Sequence, residues 1–92
     1  MSELIIKVPE TFTVDKAVQF RDTIRDYINS GKVNFLLDFS ECQFIDSTGL
    51  GVIVSSYKKC VESGGDIKLS SLNPSVRKIF ELTRLNNVFE IL

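Results

Sequence analysis

The chain has 92 residues, 43% hydrophobic and 25% charged, with a formal net charge of -1. That composition fits one small globular domain, residues 1–92, and gives no general attraction to nucleic acid or anionic membranes. Histidine is absent and the two cysteines, Cys42 and Cys60, form no CxxC, which excludes a Ser-His-Asp triad, a Cys-His pair and the usual zinc sites. The opening residues lack a basic stretch followed by a long apolar one, and no apolar run reaches membrane-spanning length, so the expected compartment is the cytoplasm.

Leu4, Ile6 and Val8 alternate with Ile5 and Lys7, a strand ended by Pro9. Residues 10–13 read as a turn or a short extended piece, and Thr13 or Asp15 can cap the helix after it. From about Lys16 to Ser30 the period becomes helical, with Ala17, Phe20, Ile24, Tyr27 and Ile28 on one face and Gly31 as the stop. A second strand runs from Val33 to Phe39. Val33, Phe35, Leu37 and Phe39 point one way and Asn34, Leu36 and Asp38 the other. One face is greasier than the other, so helices should cover mainly one side of the sheet.

The second helix spans about Thr48 to Ser63, with Leu50, Ile53, Val54, Tyr57, Cys60 and Val61 as its buried stripe and Val52 on the opposite side near Ser55 and Lys59. Gly64-Gly65 ends it. A strand comes next over Ile67–Leu72, then a third helix with Asn73 as N-cap, Pro74 at its first position and Val76, Ile79, Phe80 and Thr83 on its inner face. After an Asn86-Asn87 turn, Val88–Leu92 is a terminal strand or an apolar tail against the core. Strands alternating with helices imply largely parallel pairing and right-handed crossovers.

The stretch from Asp38 to Val54 organises the rest. An apolar strand leads through a polar loop to Asp46-Ser47-Thr48 at a helix start, with Gly49 and Gly51 inside the first turns. Any of Asp46, Ser47 and Thr48 is a favoured N-cap. A glycine within a helix costs roughly 0.5–1 kcal/mol against alanine, so two there suit a surface that something approaches closely. Unpaired amides and the helix dipole favour negative charge at that end, and a phosphate on Ser47 would sit where they can receive it. Ser47 also stands at a strand-to-helix turn, but the flanks are not G-x-S-x-G, no histidine is available as base, and Gly49-Leu50-Gly51 is neither a dinucleotide fingerprint nor a P-loop. Enzyme activity is therefore not expected.

Phe44-Ile45-Asp46-Ser47-Thr48-Gly49-Leu50-Gly51-Val52 resembles the signature of the STAS domain, whose best-known single-domain members are the bacterial anti-sigma factor antagonists. Leu36–Ser40 resembles the strand before that signature, Gly64–Leu69 the glycine turn and next strand, Pro74–Leu85 the late helix and Val88–Ile91 the family's end. The resemblance implies an α/β domain with a mixed, mostly parallel sheet of about four strands and helices mainly on one face. It further implies that Ser47 is phosphorylated by a GHKL-type serine kinase that is also an anti-sigma factor and uses Mg-ATP. The unphosphorylated antagonist would bind that partner and free the sigma factor. The phosphorylated one would let go, and a PP2C-type phosphatase would reset it.

By position, Asp46 is the neighbouring acid, Gly49, Leu50 and Gly51 shape the docking surface, and Thr48 and Val52 lie beside them. No cofactor of its own, no nucleic acid and no membrane insertion are implied, and the chain is expected to be a monomer or weak dimer. The family usually has an additional N-terminal strand and a Gly-Glu-x-Asp-like turn before the first helix; here that turn is Pro9-Glu10-Thr11-Phe12-Thr13, with Thr13 near the aspartate's place. A rival reading is a STAS subunit without a phosphoswitch, a constitutive component of a lipid-transport or stress-signalling complex.

Overall fold

The computed structural model describes residues 3–92. Four short strands form the main sheet: β1 (Leu4–Lys7), β3 (Asn34–Asp38), β5 (Asp66–Ser70) and β6 (Glu90–Ile91), in the order β1-β3-β5-β6. Every pairing is parallel, with Leu4 opposite Phe35, Phe35 opposite Ile67 and Leu69 opposite Ile91. Two further strands, β2 (Thr11–Phe12) and β4 (Phe44–Ile45), pair parallel outside it. The connecting helices are α1 (Val14–Asn29), α2 (Ser47–Glu62) and α3 (Pro74–Leu82), and a 3-10 turn spans Leu85–Asn87. The chain steps across the sheet in one direction, so right-handed crossovers place all three helices on the same face.

The alternation read from the sequence decides which side is covered. Phe35, Leu37, Ile67 and Leu69 are fully buried beneath the helices, whereas Ile5 on the other face is 63% exposed. The expected four-stranded, one-sided sheet is thus present, and among the described residues its pairing is wholly parallel. Residues 11–12 take the extended option, and the last residues form a strand after burying Phe89. Aromatic rings close the far end: Phe39 meets Phe80 edge-on at 5.8 Å, Phe80 meets Phe89 at 6.2 Å, and Phe89 meets Tyr57 at 4.9 Å.

Helix ends reflect local chemistry. Asn73 caps α3 by accepting from the Val76 amide at 2.8 Å. α1 and α2 end alike. Gly31 and Gly64 take positive φ, and the next residues, Lys32 and Gly65, donate back to Tyr27 and Cys60. Thr13 is the N-cap residue of α1, but its side chain makes no capping bond.

Three expectations about burial need correction. Val52 is half-buried against the core rather than on an open face, because α2 packs on α1 as well as on the sheet and its covered sector is wider than one stripe. The same packing buries Ser56. Val61 is 47% and Tyr27 36% exposed, both in the last turn of their helices, where packing against the rest of the chain thins out. No helix among the described residues is long and apolar enough to cross a membrane.

Both cysteines are free and fully buried, and burial raises both thiols, Cys60 to about 11 with help from the charge of Asp66. Native protein at neutral pH should therefore resist a thiol-reactive chromogen, while urea-unfolded protein releases two equivalents at once. Gly65 is needed for a different reason, since a β-carbon there would collide with the Val33 carbonyl. Gly65→Ala should lower unfolding free energy by about 1–3 kcal/mol or more in urea titrations.

Candidate functional site

The strand pair β2–β4 and the start of α2 build one structure. Asp38 ends β3, and its carboxylate accepts from the Ser40 amide at 2.9 Å, turning the chain away from the sheet. That backbone bond, then the Ser40 hydroxyl, holds the Asp38 carboxyl below its ordinary value, with Lys7 adding to the effect. The loop beyond is pinned at Cys42, whose carbonyl accepts from the Asn73 side chain at 3.0 Å, and by the Gln43 and Phe44 amides donating to Glu10. Thr11 then pairs with Phe44 and Phe12 with Ile45, so the turn before α1 lies alongside the approach to Ser47.

Asp46 is the N-cap of α2. Its Oδ1 accepts from the Gly49 amide at 3.0 Å and its carbonyl from the Leu50 amide at 3.0 Å. This settles which of the three polar residues caps. Ser47 becomes the first helical residue and Thr48 the second; both are exposed. Neither the Ser47 amide, the Thr48 amide nor the Ser47 hydroxyl has a hydrogen-bond partner among the described residues. The amides of Ser47 and Thr48 are the unused donors at the positive end of α2.

The two glycines divide into different roles. Gly49, expected with Gly51 to leave room for an approaching surface, is buried. A β-carbon there would lie 2.5 Å from the Phe12 carbonyl oxygen and 3.0 Å from Ile45 Cγ1, so the residue lets α2 seat on β2 and β4. Gly51 is exposed and has open space where its side chain would be. Leu50 and Val52 are half-buried. The surface around Ser47 is therefore made by Ser47, Thr48 and Gly51, with parts of Asp46, Leu50 and Val52.

Phe44, 53% exposed, stands two residues before Asp46 and is not among the site residues expected from the sequence. Its signal was available: it alternates with buried Ile45 directly ahead of the cap. Phe12 was also missed, because nothing local shows that Gly49 will meet it. Charge around the site is less acidic than the sequence suggests, since Glu41 pairs with Lys7 at 3.1 Å. No arginine or lysine lies between Asp38 and Lys58 in the sequence.

These roles give paired expectations for stability. Gly51→Ala should raise unfolding free energy by about 0.4–1 kcal/mol, because the site is helical and open. Gly49→Ala should lower it, and Asp46→Ala should cost about 1 kcal/mol through the lost cap. Urea titration of the three variants checks all three signs.

A STAS domain family model matches residues 2–92. A Thermotoga maritima protein provisionally named an anti-sigma factor antagonist is 31% identical over 93 residues, covering 99% of this chain and 82% of that one. The anti-sigma-B factor antagonist of Bacillus subtilis is 35% identical over 51 residues, covering 55% of this chain and 47% of its own. Among solved structures, the anti-sigma factor antagonist SpoIIAA superposes with a TM-score of 0.86 in its unphosphorylated form, at 21% identity over 100% of this chain and 82% of that one. In its phosphorylated form, at 21% identity, it superposes with a TM-score of 0.77 over 96% and 80%. The matched sheet, the strand-to-helix site and these relatives agree: the chain belongs to the STAS domain family, among the anti-sigma factor antagonists.

Proposed function

We propose that this protein is a phosphorylation-controlled binding switch that engages an anti-sigma factor with serine-kinase activity when Ser47 is free and releases it when Ser47 is phosphorylated. The observation that carries this reading is an exposed Ser47 at the first position of α2, beside unpaired amides and an open Gly51. The names of the relatives support a partner of the anti-sigma class, and SpoIIAA exists in a phosphorylated form. The kinase would be of the GHKL type and bring its own Mg-ATP. A PP2C-type phosphatase would restore the hydroxyl.

The physics of release is local. A phosphoserine adds about -1.5 to -2 charges at neutral pH. The Ser47 and Thr48 amides and the α2 dipole offset part of that within the domain, so no refolding is needed. The Asp46 carboxylate, held one residue away by the cap, opposes it. A partner surface fitted to Ser47, Thr48 and Gly51 would meet a bulky dianion in place of a hydroxyl. Losing about 3–4 kcal/mol of affinity cuts occupancy by two to three orders of magnitude. Gly51 fits the same picture, since alanine would be the more stable choice there.

Thr13 stands near the place of the family's turn aspartate, and β2 brings that turn beside the site. This favours, as a second reading, a constitutive subunit without a phosphoswitch. Binding to the kinase in the presence of Mg-ATP separates the two. Under the switch reading wild type binds and then dissociates as ATP is consumed, Ser47→Ala stays bound, and Gly51→Ala binds at least about tenfold more weakly although it is more stable. Unchanged wild-type binding in Mg-ATP would support the constitutive subunit instead.

A further inference from the structure

α1 and α2 pack side by side and leave a groove of about 200 Å³ between them. Ile28 contributes apolar surface to it, and Ile24 lines it while almost fully buried. Arg21 and Arg25 line it from α1, and Lys59 with Ser55 and Ser56 from α2. Ser56, 5% exposed, is the one buried polar residue of the described chain, and it lies in this groove rather than under the sheet. Against the three cations stands mainly Asp22, whose Oδ1 is 3.3 Å from Arg25 Nη1 and 3.6 Å from Arg21 Nη2; Asp26 lies 3.6 Å from Arg25 Nη2. The Asp22 Oδ1 atom is itself buried and is held by these two ion pairs without a hydrogen bond from either guanidinium.

We propose that this groove binds a small organic anion, one carboxylate or phosphate carried on a short apolar body. Guanidinium forks suit planar or tetrahedral oxyanions, and two arginines one helical turn apart present them side by side. The Ser56 hydroxyl supplies a neutral donor, whereas the Ser55 hydroxyl donates to the Val52 carbonyl at 3.0 Å, and Ile28 takes the apolar part beside the nearly buried Ile24. The volume sets the size, since it lies below the roughly 300–1,000 Å³ of sites for drug-sized ligands. The groove is separate from the switch: Ser55 stands about 12 Å along α2 from Ser47 at 1.5 Å per residue.

Phenyl phosphate, an aromatic ring on a phosphate, is a suitable probe for an amide and arginine Nε NMR titration. It should shift the Ser55, Ser56 and Lys59 amides and the Arg21 and Arg25 Nε signals, saturating at about millimolar concentration. Phenol and inorganic phosphate should each bind at least about tenfold more weakly, because each lacks one half of the recognised chemistry. Arg25→Gln should weaken binding about tenfold, whereas Asp22→Asn should tighten it by removing the carboxylate charge that competes with the ligand for both guanidinium groups. The opposite signs separate ligand recognition from damage to the fold, which the remaining amide spectrum reports. Shifts that fail to saturate, shifts confined to Ser47 and Thr48, or equal affinities for wild type and Arg25→Gln would overturn the proposal.

Discussion

The contact between Gly49 and the Phe12 carbonyl is the constraint on which the site depends. It lets the first turn of α2 settle on the small β2–β4 pair, and the Asp46 cap fastens the same turn from its other side. Residues 11–12 and 44–45 gain their pairing from this seat, although neither strand is long enough to persist alone. With the turn held at both points, Ser47 and Thr48 are left outward with their amides unused. The exposure of the serine is therefore a product of internal packing.

The same arrangement would let the proposed switch add a charged group to a small domain without unfolding it. Nothing apolar is buried by the Ser47 side chain, so a phosphate there displaces no core residue. The helix end supplies fixed positive potential and the capping carboxylate fixed negative potential, within one residue of each other. Under the proposed switch, the large effect falls on whatever is docked at the surface, and the sheet and aromatic cluster need not change. One-sided helix packing serves this too. It gathers α1, α2 and α3 over one face, so that the start of α2 and the turn before α1 meet at one end of the domain.

Much of this was legible in the sequence. Strand alternation at 33–39 showed which sheet face is covered, and Asn73-Pro74 and the two glycine stops marked helix ends through purely local chemistry. The illegible parts depended on partners distant in the chain. Asp46, Ser47 and Thr48 are equally good caps by type, and only the backbone path selects Asp46. Gly49 and Gly51 look alike until Phe12 is placed against the first of them. Periodicity places Val52 outward because it counts one buried stripe, whereas α2 has two neighbours. The bond from Asn73 to Cys42 and the cations shared by α1 and α2 likewise join segments that no local pattern connects.

The proposed switch stands or falls on Ser47 as the phosphate acceptor that closes the docking surface. Intact-mass analysis with phosphosite mapping, after incubation with Mg-ATP and GHKL-type kinases encoded in the same genome, decides the point. A single phosphate on Ser47, added by a kinase that binds the unmodified protein, is the expected result. A phosphate at another residue, or none with a kinase that binds stably, would refute the switch.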